Sequence, residues 1–431
     1  MNFTSWGQYP NLKIKAVTYS WKNLAEIFNV KKTFIPYGNG RSYGDSALNH
    51  LVLNMRPHDY FKSFNEESGL LHVESGVLLC EILEHFVPRG WFLKVTPGTK
   101  LITVGGAIAS DVHGKNHHIM GCFSECVKEF DIVLAGGTIV TCSKTQHAEL
   151  FHATCGGMGL TGVIVNAKIY LKKIKSQFIN QTTIKNKNLK ETFESFEKYR
   201  SSSYSVAWID CFAKKENIGR SLLKLGEFGC DDKLQYIPKE KVSVPLNFPS
   251  FILNKISMSL FNWFYYKKTK GRVSNKVVDI DSFFYPLDAI KYWNRIYGKN
   301  GFVQYQCILP KEKSFDGLTE ILSKISNSKR GSFLAVLKLY GKANGNYLSF
   351  PMEGYSLALD FKIDKGIWHF LNELDEILKK YEGRVYLAKD ARITKENFEQ
   401  GYPLVDKFRT FRKKNQMDKV FQSLQSERLG I

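Results

Sequence analysis

Three glycine-rich stretches within the first 162 residues constrain this chain more than any other feature. They read PYGNGRSYGD (36–45), PGTKLITVGGAIASDVHGKN (97–116) and GGMGLTG (156–162). Glycine has no Cβ, so backbone N–H groups at such places can close on a phosphate or a flat ring. One loop of this kind is a turn; three in one domain imply walls around a large, polyanionic cofactor. The dinucleotide fingerprint of a Rossmann fold does not fit. Gly38, Gly40 and Gly44 run GxGxxxG, and the following DSALNHLVLNM reads as turn and strand, whereas a Rossmann loop must open a helix. The second stretch predicts a short helix over GGAIASDVHG, entered through glycines, with its first N–H groups free for an anion.

A chain of 431 residues is long enough for two domains with well-buried cores. The formal charge of +20 invites a nucleic-acid reading. Yet the lysines are scattered from Lys13 to Lys419, with no zinc-finger spacing, RNA-recognition signature or basic tail. An anionic membrane surface or a phosphorylated substrate explains the excess better, and no nucleic-acid partner is expected. The eight cysteines form no CxxC pair, and the polar amino-terminal residues carry no secretory signal, so a reducing cytoplasm is expected. FPSFILNKISMSLFNWFYYKK (248–268) is interrupted by Asn254, Lys255 and Asn262, short of the roughly 18 unbroken apolar residues of a membrane span.

Up to residue 173, short apolar strands alternate with helices. EFDIVLAGGTIVTC predicts an antiparallel hairpin, HAELFHATCGG a helix closed by glycines, and GVIVNAKIYLKKI a long β-branched strand. Beyond a charged stretch the strands turn aromatic: YSVAWIDCF, GFVQYQCIL, SFLAVLKLY and GYSLALDFKI. Two amphipathic helices, FDGLTEILSKI and IWHFLNELDEILKKY, lie among them. This pattern predicts an α+β chain whose second domain is an antiparallel sheet covered by helices.

The ordered strings P-x-G-x-G-R-S-Y-G-D, PGT…TVGGAIA-x-D-x-HGKNHH and ELF-x-AT-x-GG-x-GLTG resemble the FAD-dependent oxidases of the vanillyl-alcohol-oxidase type. The likeness continues through FYPLDAIKYWNRIYGKNGFVQYQ, LKLYG, LSFPMEGYSLALDF and LAKDARIT, and so covers nearly the whole chain. Within the family it looks most like the branch that oxidises polyprenyl-phosphate ribose. The resemblance implies an FAD-binding domain over 1–173, a substrate or cap domain over 174–383, and a segment over 384–431 returning to the first domain. Gly38, Asn39, Gly40, Arg41 and Ser42 would hold the diphosphate. Pro97, Gly98, Thr99, Thr103, Gly105, Gly106 and Ala109 would line the flavin, and Gly159, Thr161, Gly162 and Val163 would meet the adenosine part. Tyr43 stands where many relatives carry a histidine bonded to the flavin, which implies dissociable FAD.

His113 matches the family histidine beside the flavin ring, with Asn116 nearby. His117 and His118, four and five residues on, suggest metal ligands by spacing, but no third-ligand motif accompanies them and they read as plain loop histidines. Lys389, at the end of the apolar run VYLAK, would by itself be a strand-end lysine facing water. By resemblance it is the lysine that reaches flavin and substrate, an ammonium stabilising the charge left when hydride arrives. Gln304 and Gln306 share one strand face and with Lys338 are expected in the substrate pocket, between aromatic walls from Trp208, Tyr285 and Tyr340. Close relatives carry cysteine and asparagine where this chain has Ala358 and Ser356, so the pocket is altered there.

The expected activity is oxidation of a sugar hydroxyl, the 2′-OH of a polyprenyl-phosphate ribose, to a ketone. His113, Tyr43 or water would take the proton, and a separate short-chain NAD(P)H-dependent reductase would complete an epimerisation. The alternative in the same fold is an aldonolactone or alditol oxidase using dioxygen. The aromatic, lysine-flanked stretch 248–272 suggests peripheral contact with the inner face of the membrane.

Overall fold

Alternation of buried and exposed side chains organises three main sheets. The computed structural model describes residues 3–18, 20, 27–28, 32–238, 242–249, 253–328, 330–332 and 334–431. Strand Leu51–Asn54 lies between Lys15–Thr18 and Ile35–Tyr37, parallel to both. A second, antiparallel sheet runs in the order Phe61–Asn65, Leu70–Glu74, Val163–Lys173, Val127–Val133, Ile139–Ser143, with Trp91–Leu93 paired to the far end of Val163–Lys173. The 11-residue strand Val163–Lys173 is the longest in the chain's described residues and is buried along most of its length. Its β-branched residues suit a strand covered on both faces. The predicted hairpin forms, Val127–Val133 pairing with Ile139–Ser143.

The third sheet has eight strands in the order Val273–Asp279, Phe178–Asn186, Ser221–Phe228, Tyr204–Ile209, Ala335–Tyr340, Gly354–Lys362, Phe302–Pro310, Arg384–Val385, each antiparallel to its neighbours. Helices Leu189–Lys198, Ser314–Asn327 and Ile367–Lys380 pack on it. Leu318, Ile321, Leu322 and Ile325 of the second helix are buried at the 3.6-residue spacing that its sequence displays. The expected α+β mixture of antiparallel sheets and covering helices is thus present.

The carboxyl-terminal segment begins inside this third sheet, because Arg384–Val385 pairs with Ile308 and Cys307. It then returns to the amino-terminal region. Phe34 N–H donates to Val420 O at 2.9 Å, and Leu424 N–H to Leu48 O at 2.8 Å. Arg428 reaches Asp45 and Asp390, both at 2.8 Å.

Three local expectations are corrected. The strand over VYLAK stops at Val385, and Lys389 lies in the turn that follows. His117 and His118 are not loop residues; they open the short helix His117–Met120. His117 is buried, accepts the Gly341 N–H at 3.2 Å and lies tilted against Tyr340 with ring centres 4.7 Å apart, while His118 bonds Ser202 O at 3.0 Å. Finally, helix Val104–Ala109 forms, but its first N–H groups are taken: Val104 by Val77 O, Gly105 by Ser75 O, Gly106 by the Thr103 side chain. A capping threonine and a neighbouring chain satisfy the donors that an anion would otherwise need.

Among the described residues no helix is long and apolar enough to cross a membrane. The apolar stretch forms helix Lys255–Lys268, residues 250–252 lying outside the described ones.

Candidate functional site

A large cavity of about 410 Å³ opens between the glycine loops and the eight-stranded sheet, within the range of small-molecule and cofactor sites. The loops form one wall. Gly38 packs so closely on Thr103 that a Cβ would lie 2.5 Å from its Oγ1, which is why the first and second loops can share a surface. Asn39 ties them further, its side-chain amide donating to Leu101 O at 2.7 Å. The N–H groups of Asn39, Gly40, Arg41 and Ser42 donate to no acceptor among the described residues. The anion-ready donors are therefore in the first loop rather than at the helix.

The sheet forms the opposite wall, and its period of two explains which residues reach it. Trp208 pairs with Val336, Val336 with Ala358, and Ala358 with Gln306, a row crossing four strands whose members all line the cavity. Two residues along, Lys338 pairs with Ser356, and both line it too. Gln304 faces it beside Asp360, to which its amide donates at 2.6 Å.

Charge on the wall is one-sided. Arg41, Lys115, Lys224, Lys338 and Lys389 line the cavity against one carboxylate, Asp288, which is itself engaged by Thr99 and the Lys100 N–H. Lys338 is enclosed by protein and reaches only the cavity, and burial lowers its pKa to about 8. Lys389 lies with its Nζ 3.5 Å from the centre of the Tyr43 ring. Burial lowers its pKa, Asp360 opposing and Lys338 adding to the effect. Burial likewise raises the carboxyl of Asp360.

His113 sits among Tyr340, Phe350 and Tyr386, with ring centres 5.0, 5.5 and 5.0 Å away. Burial holds its pKa well below the usual value, with Lys338, His117 and Lys389 pushing the same way, so the ring is neutral at neutral pH. Its Nε2 faces the Gln306 amide nitrogen at 3.0 Å and so accepts, leaving the proton on Nδ1. That Nδ1 is buried without a protein partner. Tyr43 is buried, and its phenol is pushed well above the usual value by burial, so it stays protonated.

The FAD binding domain family matches residues 21–143. Over 411 residues the chain is 36% identical to a decaprenylphosphoryl-beta-D-ribose oxidase of Mycolicibacterium smegmatis, covering 92% of this chain and 89% of that protein. The chain belongs to the FAD-dependent oxidases of the vanillyl-alcohol-oxidase type. An L-gulonolactone oxidase of Bos taurus is 23% identical over 409 residues, covering 88% and 85%. A cytokinin dehydrogenase of Oryza sativa is 30% identical over 156 residues, 33% of this chain.

The residues present fit FAD. The free N–H groups of the first loop and Arg41 suit a diphosphate, and the buried polar atoms without protein partners include Arg41 Nε, Ser75 Oγ and His113 Nδ1, all from residues on the cavity wall. Gly38, Asn39, Gly40, Arg41, Ser42, Tyr43, Pro97, Gly98, Thr99, Thr103, Gly105, Gly106, Ala109, Gly159 and Gly162 all reach this FAD oxidase's cavity. Asn116, Thr161, Val163, Tyr285 and Tyr340 do not; they stand one layer behind. Asn116 donates to Lys94 O at 2.8 Å, Thr161 bonds Thr154 at 2.9 Å, and Tyr285 bonds Thr96 at 2.7 Å. Tyr340 backs His113, and Val163 is fully buried at the start of its strand.

Sequence reasoning missed Tyr386, Lys224 and Asp360. Tyr386 lines the cavity and donates its hydroxyl to Ser110 O at 2.9 Å. Asp360 follows Ala358 by two in LALDF, and that spacing is the signal that would have found it.

With tyrosine rather than histidine at position 43, no imidazole nitrogen is available there for a bond to the ring. Acid precipitation of the purified protein is expected to leave the yellow colour in the supernatant. A coloured pellet that survives washing would contradict this.

Proposed function

We propose that this enzyme oxidises the 2′-hydroxyl of a polyprenyl-phosphate ribose to the ketone. The observation that carries the reading is the cluster of Lys338, Lys389, Gln304 and Gln306 on one wall: amides for a polyol, the Lys338 ammonium for a phosphate, and the Lys389 amine beside them. The similarity to an enzyme named for decaprenylphosphoryl ribose supports it. When bound, FAD supplies the two-electron acceptor that takes the C–H hydrogen as hydride.

The chain's own residues handle the proton and the phosphate. Tyr43 stays protonated, and the Nε2 lone pair of His113 is occupied by Gln306. Lys389, whose proton is loosened by burial, is the better acceptor for the hydroxyl proton. Having taken it, Lys389 becomes an ammonium that balances the negative charge the oxidation leaves in the site. Lys338 holds the phosphate, and the Nδ1–H of His113 is a donor that orients the bound groups. The keto sugar on its lipid then needs a consumer, and a separate short-chain NAD(P)H-dependent reductase returning hydride from the opposite face gives the epimer. A lipid-linked substrate places the enzyme peripherally at a membrane surface.

The direct test is steady-state turnover, with a dye acceptor and with dioxygen, against lipid-phosphate ribose, other lipid-phosphate sugars and free aldonolactones. Turnover confined to lipid-phosphate ribose is expected; turnover of aldonolactones with peroxide release, and none of the lipid-linked sugars, would overturn the reading.

A pH dependence follows from Lys338. Burial lowers its pKa to about 8, so the ammonium is present below that value and lost as pH rises through it. KM for the phosphate-bearing substrate is expected to rise above pH 8, and Lys338→Met to raise KM at neutral pH while flattening the profile. A KM that is level from pH 7 to 9 in the wild type would contradict this role.

A further inference from the structure

Helix Lys255–Lys268 carries its faces reversed. Its buried residues are Met258, Asn262 and Tyr266, the last two of them hydrogen-bonded. Asn262, fully buried, donates to Asp210 Oδ1 at 3.0 Å, and Tyr266 donates its hydroxyl to Asn186 O at 3.0 Å while its ring faces Arg220 and Lys185. Its outer side is apolar. Ile256, Leu260, Trp263 and Phe264 form a stripe at i, i+4, i+7 and i+8, with Phe261 beside it, and Ile256 is 79% and Phe264 58% exposed. A surface helix ordinarily turns such a stripe inward. An exposed patch of this kind marks a contact surface.

Two observations identify what it contacts. First, from 242 to 278 the sequence holds Lys255, Lys267, Lys268, Lys270, Arg272 and Lys276 and no aspartate or glutamate. The lysine- and arginine-bearing ends flank the apolar stripe, as in helices that lie in the plane of a charged lipid interface. Second, the helix is continuous with the cavity. Tyr265 meets Trp208 edge-on with ring centres 4.8 Å apart and accepts from Lys224 Nζ at 3.2 Å, and all three residues line the cavity.

We infer that this helix is the membrane-contacting surface: its stripe of Ile256, Leu260, Trp263 and Phe264 lies in the acyl boundary of an anionic bilayer while its basic flanks meet the headgroups. Its purpose rests on the lipid-linked reading of the substrate: the chain would stay in the bilayer as the sugar phosphate enters past Tyr265 and Lys224. The binding itself stands on the helix.

The test uses the FAD-loaded enzyme and co-sedimentation with vesicles of phosphatidylglycerol and phosphatidylcholine, or of phosphatidylcholine alone. The wild type is expected to pellet with the anionic vesicles at low salt, and at least tenfold less with the neutral ones. Leu260→Glu/Phe264→Glu and Lys267→Glu/Lys268→Glu/Lys270→Glu are each expected to weaken anionic binding at least tenfold. Their flavin spectra should be unchanged, which shows that they fold. Wild type that stays in solution with anionic vesicles, or folded variants that bind as well as it does, would overturn the inference. So would a dimer that Leu260→Glu/Phe264→Glu splits while vesicle binding is unaffected, since a second copy would then cover the stripe. Vesicle binding without turnover of any lipid-linked sugar would leave the surface standing and remove the substrate; the converse would remove the surface alone.

Discussion

Lys389→Ala is expected to keep its yellow FAD and to reduce it with substrate roughly 10²–10⁴-fold more slowly than the wild type, the contribution typical of a positioned general base. The size follows from the surroundings. The amine stands against the Tyr43 ring and faces a cavity in which Tyr43 is a protonated phenol and His113 an imidazole already accepting from Gln306. Because burial lowers the pKa of Lys389, the neutral amine that accepts the proton becomes available as pH rises through that lowered value. The rate of flavin reduction should therefore climb on the acid side in the wild type and lose that limb in Lys389→Ala, with small alkylamines restoring part of it. Stopped-flow reduction across pH measures this. A variant that reduces at the wild-type rate, or keeps the same acid limb, would show that the lysine is only a wall.

Arg428→Ala is expected to destabilise the protein by about 3–5 kcal/mol, the usual cost of removing one partner from a buried charge cluster. Arg428 joins Asp45, which follows the first glycine loop, to Asp390, which follows Lys389, and donates also to Ile393 O at 2.6 Å. Burial alone would hold Asp390 neutral, but Arg428 and the N–H groups of Arg392 and Ile393 keep its carboxyl below the usual range. Without the guanidinium, two carboxylates remain buried and adjacent. Urea unfolding should show the loss as a lowered midpoint. The same clamp seats the Lys389 turn, since Tyr43 N–H donates to Ala388 O at 3.0 Å and Gly44 lies directly against the Asp390 carbonyl. Weakened FAD retention should accompany the lower midpoint. An unchanged midpoint would mean that the carboxyl-terminal segment is held by its apolar contacts alone.

Legibility in the sequence followed the length scale of the physics. The glycine loops were readable because close packing of one loop on its neighbour leaves no room for a Cβ, as Gly38 against the Thr103 side chain shows. The pairing of Gln304 with Gln306 on one face was readable because strand geometry is strictly two-fold. What depends on register between distant strands was not. Asp360 stands beside Gln304 only because Phe302–Pro310 pairs with Gly354–Lys362, and nothing local announces that. Asn116, Thr161, Val163, Tyr285 and Tyr340 are near wall residues in sequence, yet hydrogen bonds or packing turn their side chains behind the wall. The helix Val104–Ala109 misled because its glycines suggested free donors, whereas Ser75 and Val77, some thirty residues earlier, supply the acceptors. The outward stripe of Lys255–Lys268 was visible as composition, but its direction became plain only once Asn262 was seen to be the buried side.

Anaerobic flavin bleaching in a single turnover tests the account most directly. Mixing the enzyme with polyprenyl-phosphate ribose should remove the yellow absorption stoichiometrically and yield the 2′-ketone. The 2′-deoxy analogue should bind yet leave the colour intact. Bleaching by the 2′-deoxy compound, or a flavin that stays yellow with the ribose, would contradict the proposed chemistry.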